Sequence, residues 1–113
     1  MRSNVDRLSD ILAAIAKIKE RNTDNFAAFQ SDEMLQVWVI HHLQVIGEAA
    51  RGVSQSLEES HPEVPWPQIV ALRNILVHEY FGLNMHQVWT MAQKDIPVLE
   101  VQVQQILAEL TAL

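Results

Sequence analysis

Apolar residues recur every three or four positions along much of the chain, which is the spacing of amphipathic helices. The pattern predicts a first helix over about residues 4–20, and Ser3 and Asp6 have the spacing of a capping box at its start. A second and longer helix follows, with Ser31 or Asp32 as its N-cap. The N-terminal half of the chain is therefore predicted to be helical.

The segments around the second helix are shorter and less regular. Phe26 and Phe29 precede it, and we expect them to cover an edge of the core from a connecting segment. A short third helix is expected after Ser54 and ends by His61, which Pro62 follows.

The central helix is predicted from about Pro67 to Glu79 or Tyr80. Proline suits the first turn of a helix because its missing N–H has no intrahelical partner there. Gly82 is predicted to end this helix, and Asn84 is predicted to cap the last one.

Pro97 falls within the last helix, which we expect it to kink or to divide in two. No stretch shows the alternation typical of strands, and no internal repeat is present. The expected fold is all-α: a compact bundle of four or five helices in a single domain over residues 1–113.

The central helix is apolar around nearly its whole circumference, so it is expected at the centre of the bundle or at a seam between subunits. Arg73 lies among its apolar residues, where a largely buried guanidinium is costly unless paired, so it must reach out, meet a carboxylate from another helix or bind an anion. Glu48 on the second helix is the candidate partner. Gly47 beside it costs about 1 kcal/mol inside a helix, and a close helix crossing at this glycine offsets that cost.

A helical wheel separates the polar groups of the central helix into two sectors. Asn74 and His78 share one sector, and Tyr80 lies about 20° from Arg73 in the other. Arg73 and His78 are about 140° apart, so one rigid helix does not bring them together. Two copies packed about a two-fold axis can pool these residues in one composite site.

The net charge of −6 argues against non-specific nucleic-acid binding, so a phosphate-binding surface must be local, and a basic protein partner is an alternative. No apolar run approaches the ~20 residues that span a bilayer, so no membrane association is expected. No secretory signal is expected at the N-terminus, and the absence of cysteine fits the cytoplasm.

Several segments resemble the HepT-like ribonuclease toxins of the HEPN superfamily. The signature of that family looks like the spacing found here, in which four residues separate Arg73 from His78 and one residue separates His78 from Tyr80. An asparagine commonly follows the arginine of the signature, as Asn74 does here. Three further segments are similar to the family: Ile46-Gly47-Glu48-Ala49-Ala50, Val64-Pro65-Trp66 and His78-Glu79-Tyr80-Phe81.

The resemblance implies an all-helical homodimer with its active cleft at the dimer seam. It also implies cleavage of RNA, either tRNA or mRNA, without a metal or other cofactor. His78 is the expected acid/base, since histidine titrates near neutrality, and Arg73 the expected phosphate ligand. Asn74 and Glu48 are expected to support the site. The resemblance also implies an antitoxin of the minimal nucleotidyltransferase (MNT) type that silences the toxin by AMPylation of Tyr80.

Two other interpretations stay open. One is a non-catalytic HEPN module that binds nucleotide or docks a nucleotidyltransferase, and the other is a plain helical dimerisation bundle. His41 and His42 look like a metal pair, but adjacent helical residues point about 100° apart, which favours a structural role. Trp38, Trp66 and Trp89 are interpreted as packing residues.

Overall fold

A computed structural model describes residues 2–78 and 82–112, with only the backbone of His78. The described part contains no strand, and the predicted all-α class is confirmed. Its helices are α1 (Asn4–Arg21), α2 (Phe26–Ser31), α3 (Glu33–Arg51), α4 (Gln55–Ser60), α5 (Trp66–His78), α6 (Met85–Thr90) and α7 (Ile96–Thr111). A π-helical turn, Met91–Asp95, joins α6 to α7.

Side-chain caps begin the helices where the sequence predicted them. Ser3 Oγ accepts the backbone N–H of Asp6, and the Asp6 carboxylate accepts that of Ser3, so the predicted capping box is present. These bonds lower the pKa of Asp6 below its ordinary value, because they favour the carboxylate. Asp32, rather than Ser31, caps α3, and Asn84 caps α6.

Helix α2 is the element that the sequence did not predict. Asn25 caps it by accepting the N–H of Ala28, and Phe29 within it is fully buried. Phe29 therefore packs into the core as predicted, but from a helix rather than from an irregular connection. Six residues are too few for a 3.6-residue period to show in the sequence.

The predicted last helix is divided into α6 and α7, one of the two outcomes expected near Pro97, and a π-helical turn joins the two parts. Pro97 lies in the first turn of α7, directly after the π-helical turn. The residues that flank this turn keep right-handed helical dihedrals, so the chain stays helical from α6 into α7. A π-helical turn changes the hydrogen-bond register locally, which accommodates a proline that has no N–H to donate.

Helix α3 packs between α1 and α5, and α7 packs against α1. Trp38 on α3 donates its indole N–H to the carbonyl of Lys17 on α1 at 2.8 Å, which ties the two helices together. No helix within the described ranges is long and apolar enough to cross a membrane. The fully buried side chains include Leu8, Ile11, Ile15, Ile18, Phe29, Val39, Leu43, Val103.

Helix α5 lies at an edge of the bundle. It buries Trp66, Ile69 and Leu76, whereas Ile75 and Val77 remain 46% and 43% exposed. Of the two placements that the sequence allowed, the structure therefore excludes the centre of the bundle. The predicted end of α5, at Glu79 or Tyr80 before Gly82, lies outside the described residues, so the role of Gly82 as a stop signal stays a prediction.

Gly47 allows α5 to approach α3 closely, as its sequence context predicted. A Cβ added at Gly47 would lie 2.6 Å from Arg73 Cβ and 3.1 Å from the carbonyl oxygen of Ile69. Both atoms belong to or adjoin the backbone of α5, so neither can move aside without moving the helix. The crossing therefore depends on the missing side chain.

We predict that Gly47→Ala destabilises the protein by about 1–2 kcal/mol, because overpacking outweighs the gain in helix propensity. Gly82→Ala is the matched control, since its added Cβ meets nothing within 4 Å and its effect should stay within about 0.5 kcal/mol. Urea unfolding of both variants measures the difference. Equal stability of the two variants would contradict a tight crossing at Gly47.

Candidate active site

The Gly47 crossing brings the middle of α5 against the C-terminal half of α3. The helices run antiparallel, because Gly47 lies beside Arg73 while Arg51, further along α3, shares a surface pocket with Trp66 at the start of α5. Arg73 is thus placed by its own backbone contact with α3. Its side chain emerges next to the residue that follows Gly47.

That residue is Glu48, and its carboxylate pairs with Arg73 as the sequence predicted. The distance from Arg73 Nε to Glu48 Oε2 is 3.2 Å, and the two side chains are 32% and 53% exposed. Arg73 also reaches the surface, because the crossing lies at the edge of the bundle. The pair lies at the surface, where a ligand from solvent can reach it.

Asn74 also contacts Arg73. The Nη1 group of Arg73 donates to Asn74 Oδ1 at 3.2 Å, and Asn74 is exposed. The wheel placed these residues in different sectors, but the long arginine side chain turns back along the helix surface to its neighbour. The structure therefore joins Glu48, Arg73 and Asn74 in one polar group.

His78 and Tyr80, the other two residues of the motif, are not part of this described group. His78 is the last described residue of α5, five residues or about 7.5 Å along the helix axis from Arg73. The His78 side chain and all of Tyr80 lie outside the described residues. Their roles remain predictions from the sequence.

Helix α3 contributes a histidine that sequence reasoning treated as structural. His41 is exposed and lies seven residues before Glu48, so the two share a face of α3, about 10 Å apart along its axis. The seven-residue spacing was the available signal. His41 and His42 make an edge contact at 4.9 Å, and no third ligand joins them in a metal set within the described ranges.

A cavity of about 440 Å³ lies between α3, α5 and α7. Its walls are mainly apolar, and Glu63 and Asp95 lie at the lining. It includes none of Glu48, Arg73 and Asn74. This cavity is therefore separate from the polar group of the motif.

The arrangement of Glu48, Arg73 and Asn74 falls within a region that matches a known family. The family model described as "Ribonuclease HepT-like" matches residues 11–106. The chain belongs to the HepT-like ribonuclease family. It is therefore a helical protein of the HEPN type, and the names of its relatives support a nuclease activity at the level of the family.

Three relatives illustrate how far the HepT-like similarity extends. A candidate RNase of Methanocaldococcus jannaschii is 36% identical over 98 residues, 86% of this chain and 90% of the relative. The "Probable ribonuclease HepT" of Thermococcus cleftensis is 37% identical over 100 residues, 88% and 91% of the two chains. A candidate RNase of Caldanaerobacter subterraneus is 40% identical over 83 residues, 74% of each chain. No solved structure matches this chain.

Proposed function

We propose that the chain is a single HEPN domain that acts in the cytoplasm as a toxin. It is a metal-independent endoribonuclease, and its RNA substrate is a tRNA or an mRNA. One observation carries the proposal. In a HepT-like chain, Arg73 is held at the surface between Glu48 and Asn74, on the helix that also carries His78. An arginine so placed offers a planar set of donors that fits a phosphate.

Cleavage without a metal needs a proton acceptor and a positive charge. His78 removes the proton of a ribose 2′-OH, whose oxygen attacks the adjacent phosphorus, and the bond from phosphorus to the 5′-oxygen breaks. The departing oxygen takes up a proton, which leaves a 2′,3′-cyclic phosphate and a 5′-OH end. Arg73 stabilises the charge that develops on the phosphorane oxygens.

Glu48 and Asn74 support this chemistry by holding Arg73. A guanidinium bound at Nε and Nη1 has fewer accessible rotamers than a free one. Glu48 also offsets the charge of Arg73 until RNA arrives, and the phosphate then competes with the carboxylate for the same donors. Asn74 is close enough to Arg73 to contact the same phosphate.

We predict that His78→Ala lowers RNA cleavage by at least about a hundredfold, because it removes the acid/base group. His86→Ala is the matched control, since His86 is an exposed histidine outside the proposed site and should leave cleavage unchanged. Total RNA or tRNA incubated with purified protein in EDTA is the assay, with mapping of the 2′,3′-cyclic ends. Full cleavage by the His78→Ala variant would overturn the assignment.

A homodimer that packs through α5 completes the proposed site. Ile75 and Val77 are large apolar residues that α5 leaves exposed beside Arg73 and Asn74. Their burial against a second copy removes this surface from water, and a two-fold axis brings both copies of the motif to one seam. On one helix, His78 and Arg73 point about 140° apart. In the proposed dimer, His78 of one chain and Arg73 of the other act at the same seam.

We predict that Ile75→Asp yields a folded monomer that no longer cleaves RNA, because a carboxylate at the seam opposes its own symmetry mate. Val101→Asp is the matched control, since Val101 is also exposed, at 52%, but belongs to α7 and not to the proposed seam helix. Sedimentation velocity gives the assembly, and circular dichroism checks the fold. A dimeric and active Ile75→Asp variant would exclude this seam.

An MNT-type nucleotidyltransferase antitoxin is the proposed partner, and Tyr80 its target. Transfer of AMP to the Tyr80 oxygen forms a phosphodiester and releases pyrophosphate from ATP. The wheel places Tyr80 about 20° from Arg73, so the added phosphate brings negative charge and bulk to the side of α5 that binds RNA.

We predict that co-expression with this antitoxin adds the mass of one adenylyl group per chain and abolishes cleavage. Tyr80→Phe should show no mass shift, because the acceptor oxygen is gone. Intact-protein mass spectrometry measures both. A shift that persists in Tyr80→Phe would place the modified residue elsewhere.

A non-catalytic HEPN module that binds nucleotide or docks a nucleotidyltransferase is the alternative. Two observations favour it: the net charge of −6, and an Arg73 whose charge Glu48 already offsets. In that case, the purified protein cleaves no RNA, and a stable complex forms on co-expression with the partner.

A further inference from the structure

A chain of aromatic and cationic side chains crosses the exposed face of α3 from α1 towards α5. Arg21 on α1 lies over the Trp38 ring, with its Cζ 5.2 Å from the ring centroid. The Trp38 ring meets His42 at 4.6 Å, and His42 meets His41 at 4.9 Å. We call Arg21, Trp38, His42 and His41 the α3 strip.

The strip leads to the polar group of the motif. His41 shares a face of α3 with Glu48, which binds Arg73. Because α3 and α5 run antiparallel and Gly47 lies beside Arg73, the backbone of His78 on α5 comes level with about residues 41–43 of α3. The strip therefore ends beside the helix that carries the proposed reaction.

Its charge differs from that of the chain as a whole. The protein has eight Lys and Arg residues against fourteen acids, yet Arg21 and Lys17 both lie at the α1 end of the strip. Glu20 is the acid in contact there, 3.9 Å from Lys17. Burial lowers the pKa of His42, and the neighbouring His41 and Lys17 lower it further. A neutral imidazole both donates and accepts hydrogen bonds, as a base edge requires.

We propose that the α3 strip is a subsite for single-stranded RNA that flanks the phosphate held by Arg73. Phosphates of the strand bind Arg21 and Lys17, and bases stack against or hydrogen-bond to the imidazoles of His41 and His42. Cations interleaved with aromatic rings are the arrangement by which proteins bind single strands without reading an extended sequence. The inference rests on the proposed function for the phosphate at Arg73, while the strip itself stands on its own contacts.

Packing alone does not account for the whole strip. The bond from Trp38 to the Lys17 carbonyl explains Trp38 as a link between α1 and α3. Arg21 and His41 are exposed at the two ends of the strip, and neither makes a side-chain hydrogen bond within residues 2–78 and 82–112. These two residues are therefore the ones to substitute, and Trp38 is left intact.

The experiment compares the double variant Arg21→Gln/His41→Ala with the control Lys94→Gln/His86→Ala. The control removes one exposed cation and one exposed histidine, and His86 makes its own aromatic contacts with Phe26 and Trp89. The probe is a short fluorescent single strand with 2′-O-methyl groups, which lacks the 2′-OH nucleophile. Anisotropy titrations at several salt concentrations give the Kd, and cleavage of unmodified RNA gives KM and kcat.

We expect the strip variant to bind the probe about tenfold more weakly than wild type. The slope of log K against log salt should fall by about 0.7 for the lost phosphate contact, while the control changes neither value. Cleavage should show a raised KM at an unchanged kcat, because the strip contacts flanking RNA and not the reacting atoms. A second variant, Arg21→Glu, should weaken binding further at low salt.

The outcomes separate this inference from the proposed function. If wild type cleaves RNA and the strip variant matches it in Kd and KM, the strip is not a subsite and the ribonuclease proposal stands. If binding depends on the strip but wild type does not cleave, the subsite stands and the ribonuclease proposal fails. Equal losses in the strip variant and the control overturn the subsite, and a wild type that neither binds nor cleaves overturns both.

Discussion

The contact between Gly47 and the backbone of Arg73 is the constraint on which the rest of the site depends. With 2.6 Å between Arg73 Cβ and the position of an added Cβ, no larger residue fits at this crossing without displacing α5. The same contact fixes which residues follow on each helix: Glu48 comes next to Arg73, and His41 falls two turns away on the same face. One missing side chain thus sets both the packing of α3 on α5 and the register of the polar groups above them.

The ion pair that this register creates contributes little to folding. Exposed pairs of this kind are worth about 0–1 kcal/mol, since water screens both charges and two side chains lose freedom. Arg73 and Glu48 are 32% and 53% exposed, so they belong to that class. Their value lies in position: a chain of net charge −6 keeps one guanidinium oriented at a defined place, with Asn74 bound to its other side. Loss of Glu48 or Asn74, the two partners of Arg73, should therefore weaken RNA binding and cleavage far more than it lowers the free energy of unfolding.

The sequence predicted features that depend on one or two residues of distinctive chemistry. Ser3, Asp6 and Asn84 act as caps because few side chains can accept the first N–H groups of a helix, and Gly47 marked a close crossing because glycine is costly inside a helix. Features that depend on the tertiary arrangement were missed. Helix α2 is too short to show a period, and the Arg73–Asn74 bond follows from side-chain reach, which a wheel of Cα directions does not contain. The exposure of α5 was one of two possibilities, because an apolar helix suits a core and a seam equally well.

Within the described residues, helix α5 packs mainly against α3 and leaves Ile75 and Val77 exposed to water. This edge position separates the residues of the proposed function into two groups. Residues whose role requires a second chain, Ile75 and Val77, lie on the helix at the edge of the bundle. Residues that can bind RNA within one chain, His41 and Arg21, lie on helices anchored by the α1–α3 core and by the Trp38–Lys17 bond. Cleavage at the seam requires a dimer, whereas RNA binding by the α3 strip requires one chain. The two activities are therefore separable. A protomer that has lost its partner would then still bind a strand that it can no longer cut.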